Sequence, residues 1–170
     1  LSGDTYVTTG ARTARLDPGE DPDSRFSGET IAPPTAVPGR SGEPIDILRT
    51  PGPSDVVSDM FYLTDLDEGF YALTNMSLGL GFAMEFDPAV FGCIWYWIAC
   101  NAPRGAPFHG RSYTVALEPF TSWPAILTHA IENGTQRSLD PGESLSTALR
   151  AGMFHAESPP QSRSELRYHR

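Results

Sequence analysis

The chain has 170 residues, which is enough for one domain with a buried core. Its 12 basic residues, all of them Arg, stand against 21 acidic residues and give a net charge of -9. Because the sequence has neither a basic cluster nor an apolar run of eighteen residues, it argues against nucleic-acid binding, attachment to an anionic membrane and a transmembrane helix.

Residues 1–55 are rich in Pro, Gly, Asp and Ser. Within them, 5–9 and 45–48 are apolar islands that predict short, isolated strands between long loops. We expect this loop-rich segment to pack against a β-sandwich core formed by residues 56–155.

Between residues 56 and 155, short runs of apolar and β-branched residues are separated by Asn, Pro and Gly turns. Runs at about ten-residue spacing are typical of an all-β meander in a sandwich or barrel. The predicted strands are 61–63, 69–74, 78–86, 91–99, 112–118 and 145–154. Helical spacing is confined to 124–133, with Gly134 as the C-cap, and 156–170 is predicted to be a disordered tail.

Cys93 and Cys100 lie seven residues apart in one apolar run. On a strand they point to opposite faces and lie roughly 23 Å apart, which excludes a disulfide between them. Two cysteines also fall short of a zinc pattern, so we predict no metal and no cofactor. The first ten residues lack the pattern of a secretory signal, and we expect buried thiols in a reducing cytoplasm.

Glu118 is the first candidate for chemistry. On a strand from Ser112 it shares a face with Thr114 and Ala116, and Pro119 follows it. This order predicts a carboxylate projecting from the strand end into a concavity floored by small side chains. An exposed glutamate at a strand end, without a function, is the alternative.

Trp95 and Trp97 form the second candidate, since both lie on one face of the predicted 91–99 strand. Two indoles on one face can form a platform for a sugar ring, although aromatic residues also fill cores. His109 and Arg111 come just before the strand of Glu118. An imidazole near a carboxylate can act as acid to its base, whereas the alternative is a loop histidine without a role.

Three segments resemble the aldose 1-epimerase (galactose mutarotase-like) family. They are YALTNMSLGLGFAMEFDP at 71–88, IWYW at 94–97, and GRSYTVALEPFTSWP at 110–124 followed by LDPGESLSTAL at 139–149. The LEPFTS strand paired with the downstream PGES turn is the most specific element, and the resemblance spans about residues 56–154.

The resemblance implies part of a large β-supersandwich that binds a small-molecule sugar and interconverts the anomers of an aldose. Glu118 matches the general base, which takes the proton of the anomeric hydroxyl while a histidine protonates the ring oxygen. Trp95, Trp97, His109 and Arg111 are then expected to contact substrate.

The family's histidines and a sugar-binding arginine lie in its N-terminal half, which has no match here. We therefore expect this chain to be the C-terminal portion of such a protein, with the general acid elsewhere. Whether it is an active enzyme by itself stays open. The alternatives are a non-catalytic carbohydrate-binding β-sandwich and a structural β-domain without a ligand, and the sugar and the oligomeric state stay open too.

Overall fold

The computed structural model describes residues 1–16, 24–27, 31–102 and 104–169. Nearly all of its regular structure is strand, and the curled antiparallel sheets confirm the predicted all-β, sandwich-like fold. The strands are Thr5–Leu16 (β1), Ile31–Ala32 (β2), Val37–Pro38 (β3), Pro44–Ile45 (β4), Val57–Asn75 (β5), Leu80–Glu85 (β6), Cys93–Cys100 (β7), Tyr113–Phe120 (β8) and Arg150–His155 (β9). The helix Leu127–Glu132 (α1) and a 3₁₀ turn, Arg163–Glu165, complete the described elements. No helix among the described residues has the length and apolar character needed to cross a membrane.

The 19-residue strand β5 organises the main sheet. One of its edges pairs with β1, while the other pairs with β7 along 57–63 and with β6 along 70–75. Strand β8 extends the sheet beyond β7, and β9 extends it beyond β6. The sheet therefore forks along one edge of β5 into two branches, the β6–β9 branch and the β7–β8 branch.

The prediction of two separate strands at 61–63 and 69–74 was wrong, because the acidic stretch between them is not a turn. Asp65 adopts a φ of 55°, and residues 67–70 form a wide bulge opposite the single residue Gly10 of β1. Backbone pairing with β1 resumes on both sides of the bulge, so the chain continues as one strand.

Strand β1 reaches Leu16, although the sequence predicted a strand only over 5–9. The register shift at Gly10 changes which residues face the core: Val7 is buried before it, and Ala14 and Leu16 are buried after it. Since the alternation of apolar residues changes phase in mid-strand, the pattern did not predict its second half.

The N-terminal segment completes the core between the curled sheets. Phe26, Val37 and Ile47 are fully buried there and belong to the same cluster as Phe61 and Ile94. An ion pair between the buried Asp59 of β5 and the partly exposed Arg25 also connects this segment to β5. The carboxylate of Asp59 lies 2.7 Å from the guanidinium of Arg25 and accepts hydrogen bonds from the Arg25 amide and the Ser24 hydroxyl.

The C-terminal tail, for which the sequence predicts disorder, contacts the main sheet within 157–169. Leu166 is buried against Phe70 and Phe154 on the outer face of the β6–β9 branch. The Arg163 side chain lies 2.5 Å from the Glu85 carboxylate, and its amide donates to Glu68. Leu166, the partly buried Tyr168 and these polar contacts hold the tail, so its docking does not require an apolar stripe in the sequence.

The predicted strand 145–154 begins only at Arg150, because its partner β6 ends at Glu85, opposite that residue. All of 138–149 is exposed. The predicted helix 124–133 shortens to the six residues of α1, in which Ala130 is buried while Leu127 and Ile131 are exposed.

Replacing Gly10 tests the bulge. A Cβ atom at this position would overlap the backbone carbonyl oxygen of Glu68, which no rotamer change relieves. We expect Gly10→Ala to lower the free energy of unfolding by about 3 kcal/mol, as overpacking does in a tight core. Chemical denaturation measures this change.

Gly92→Ala is the matched control, since a Cβ at Gly92 meets no atom within 4 Å. It should change the free energy of unfolding by less than about 1 kcal/mol. Equal stabilities of the two variants would contradict the close approach of β1 and β5 at Gly10.

Candidate functional site

The outer face of the β7–β8 branch brings together three of the predicted site residues, Trp95, Trp97 and Glu118. Cross-strand pairing places Trp95 opposite Glu118 on one side and opposite Tyr62 on the other. Trp97 is likewise opposite Ala116 and Met60. Directly opposed residues share a face in an antiparallel sheet, so both indoles and the carboxylate lie on one surface.

Trp95 is a packed residue. Its ring stacks on Phe120, with centroids 3.8 Å apart and an angle of 7° between the ring planes. Tyr62 packs edge-on against it, with centroids 5.8 Å apart. Its indole N–H donates to the Ser122 carbonyl oxygen at 2.8 Å. One ring face of Trp95 is covered by Phe120, and its indole N–H, the only hydrogen-bond donor of the side chain, is already bonded. Trp95 therefore supports the surface rather than offering a free platform.

Trp97 and Glu118 are the open members of this face. Trp97 is half-buried, as Trp95 is, and differs from it in its contacts: its described ring contact is a tilted one with Phe108, with ring centroids 5.3 Å apart. Glu118 is exposed, and its carboxylate forms no hydrogen bond or ion pair with the described residues. The small Ala116 lies beside both. We call Trp97, Ala116 and Glu118 the β7–β8 patch.

The negative charge of Glu118 also acts on Tyr71, a residue of the core cluster. Burial raises the pKa of Tyr71, and the negative charge of Glu118 raises it further. Three cavities of about 450, 350 and 410 Å³ lie elsewhere, and Glu118 lines none of them. These three cavities therefore do not form the predicted concavity at Glu118.

His109 and Arg111 lie in the loop before β8, at the opposite end of that strand from Glu118. His109 and Gly110 have φ values of 50° and 68°, so the chain reverses sharply and brings Phe108 against Trp97. The side chains of His109 and Arg111 are exposed, and neither contacts Glu118 among the described residues. The structure does not form the predicted acid–base pair of His109 and Glu118.

The sequence did not point to the residues that border this surface. Trp123 packs against Tyr62, with ring centroids 6.2 Å apart. The guanidinium of Arg15 lies 4.6 Å from the centre of the Trp123 ring. The hydroxyl of Tyr62 accepts a hydrogen bond from the Ala125 amide. Because these residues come from distant parts of the chain, only their juxtaposition identifies them, and no local motif signals it.

Cys93 lies on the same face as Trp95 but is buried beneath the loop that follows β8. Its thiol donates to the carbonyl oxygens of Phe120 and Ser122. Burial raises the pKa of Cys93 to about 12, and it raises the pKa of Cys100 as well. Both cysteines are free, as the strand spacing predicted, and neither has the lowered pKa of a nucleophilic thiol.

Comparisons of the chain with protein-family models, with curated proteins and with solved structures find no match in any of the three. The resemblance to the aldose 1-epimerase family therefore rests on the sequence segments alone.

The thiols offer a test of burial at this site. With a pKa of about 12, only about one Cys93 in ten thousand is a thiolate at pH 8. We expect a disulfide reagent that attacks thiolates to react with the folded protein at least about a hundred times more slowly than with the protein in urea. The rate on the folded protein should rise with pH, because the thiolate fraction still increases well above pH 8.

Two thiols per chain should react once the protein is unfolded, which provides the control within the same sample. One thiol per chain that reacts in the folded protein as fast as in urea would contradict the burial of the cysteines.

Proposed function

We propose that the β7–β8 patch binds a carbohydrate. A sugar ring would stack its apolar face on Trp97 while its hydroxyls donate hydrogen bonds to Glu118. An aromatic surface with a few convergent polar groups is the usual composition of a small-molecule site. The observation that carries the proposal is that both side chains lie on one sheet face and are free of internal hydrogen-bond partners among the described residues.

The supporting layer beneath the patch suits this role. Trp95, which neighbours Trp97 on the same strand face, is held by ring contacts with Phe120 and Tyr62 and by a hydrogen bond. Binding to a rigid, preorganised aromatic surface loses little conformational entropy. Ala116 leaves space beside Trp97, where a larger side chain would cover the ring.

Charge favours a neutral sugar over an acidic one. Glu118 is a carboxylate without an ion-pair partner among the described residues, in a chain whose net charge is -9. A uronate or a sulfated sugar would be repelled by both, whereas a neutral aldose supplies the hydroxyl donors that a carboxylate accepts.

An isomerase is the second candidate. Glu118 favours it because a carboxylate that has no partner among the described residues is free to take the proton of an anomeric hydroxyl. The general acid that must protonate the ring oxygen has no counterpart beside Glu118 among the described residues. In this form of the proposal the acid comes from another segment, as the family resemblance implies.

A titration of tryptophan fluorescence with glucose and with galactose tests binding. We expect a saturable change with a dissociation constant on the order of millimolar, as befits a site with few contacts. Trp97→Ala should abolish it, and Glu118→Gln should weaken affinity about tenfold by removing a charged acceptor. Leu127→Ala, an exposed apolar side chain of α1, is the control that should leave binding unchanged.

Saturable binding that survives both Trp97→Ala and Glu118→Gln would place the sugar elsewhere. Because Trp97 is half-buried, the surface change Glu118→Gln keeps the test valid if Trp97→Ala fails to fold. No spectral change with either sugar, confirmed by calorimetry, would reject carbohydrate binding by the chain.

Polarimetry on freshly dissolved α-glucose or α-galactose separates the enzyme from the binding module. An isomerase accelerates mutarotation beyond the buffer rate, and Glu118→Gln removes that acceleration because its amide cannot act as a base. A chain that binds sugar without accelerating mutarotation is the carbohydrate-binding module. An acceleration that Glu118→Gln leaves intact would exclude Glu118 as the base.

A further inference from the structure

Two of the chain's four histidines meet on the surface, far along the chain from the β7–β8 patch. The rings of His155 and His169 are 4.1 Å apart between centroids and nearly perpendicular, at 87°. Both side chains are exposed. His155 ends β9, whereas His169 lies in the C-terminal tail, so the contact joins the sheet to the segment that covers it.

Backbone pairing holds the two histidines in this position. Phe154 forms an antiparallel bridge with Tyr168, and the His169 amide donates to the Met153 carbonyl oxygen at 2.9 Å. Phe154 and Leu166 are buried on the opposite side of this pairing. The juxtaposition of the imidazoles therefore follows from the docking of the tail and needs no contribution from the rings themselves.

We propose that His155 and His169 form a two-histidine site for a divalent transition-metal ion such as Zn²⁺, Ni²⁺ or Cu²⁺. Imidazole nitrogen is a preferred ligand of these ions, and a metal–nitrogen distance of about 2.0–2.1 Å places two such nitrogens roughly 3.3 Å apart. Rotation about χ2 leaves each ring centroid nearly in place, so centroids 4.1 Å apart must also separate slightly through changes in χ1, which the exposure of both side chains allows.

The remaining coordination positions belong to water. No group of three or more His, Cys, Asp or Glu side chains is arranged to hold a metal ion within the part of the chain that the structure describes. The two cysteines are buried and cannot compete for the ion. A site with two protein ligands and open positions binds reversibly, which suits a responsive rather than a permanent structural ion.

Such an ion would clamp the tail onto the sheet. Its two protein ligands belong to β9 and to the tail, so it binds only while the tail is docked. An ion that binds one of two states stabilises that state by mass action. Bound metal should therefore slow the opening of 157–169 and leave the opening of the β7–β8 branch unchanged.

Isothermal titration of untagged protein with Zn²⁺ and with Ni²⁺ tests the site. We expect one ion per chain, and His155→Ala or His169→Ala should each weaken affinity at least about tenfold, which corresponds to about 1.4 kcal/mol. The double variant His109→Ala/His129→Ala removes the other two histidines and should bind as the unaltered chain does. Because both site histidines are exposed, their variants should keep the thermal stability of the metal-free protein.

Amide hydrogen exchange supplies an independent readout. Zn²⁺ should increase protection across 157–169, including the His169 amide, in the unaltered chain but not in His155→Ala. Binding that persists in both site variants, or that is lost with His109→Ala/His129→Ala, would overturn the proposal. So would the absence of binding at millimolar ion, or bound metal without added protection of the tail.

Discussion

Backbone hydrogen bonding along β5 constrains the whole molecule. A strand has two edges, and β5 uses one for β1 and divides the other between β7 and β6. The bulge at 67–70 turns the two halves of the strand, so the sheet forks into two branches that share an inner core. Gly10 permits this arrangement because its missing side chain lets the bulged backbone approach β1 closely.

Each branch has an outer face that the sheet alone leaves exposed, and different parts of the chain cover the two faces. The tail packs on the β6–β9 branch through Leu166. The segment after β8 packs on the other branch, where Trp123 contacts Tyr62. Among the described contacts this second cover does not reach Trp97 or Glu118: Glu118 is exposed and Trp97 is half-buried.

The same sheet therefore gives two indoles different roles. Trp95 and Trp97 lie two residues apart on one strand face, yet Phe120 stacks only on the first. Packing makes Trp95 part of the support, whereas the described ring contact of Trp97 is the tilted one with Phe108. Docking of the tail has a comparable effect, since it brings His169 from a polar segment to His155. Both proposed sites thus arise where a covering segment meets the edge of the surface it covers.

The sequence by itself determined the all-β class, the strands around 91–99 and 112–118, and the side chains that share a face within each, because alternation along one strand is a local property. It also identified two cysteines too distant to pair. Only the tertiary structure decided that β1 and β5 continue through their irregular middles, since pairing between strands outweighs local turn signals such as those around Asp65. Tertiary structure likewise placed the tail against the main sheet, distinguished Trp97 from Trp95 and separated His109 from Glu118. Each of these depends on contacts between residues far apart in the chain, which a linear pattern does not encode.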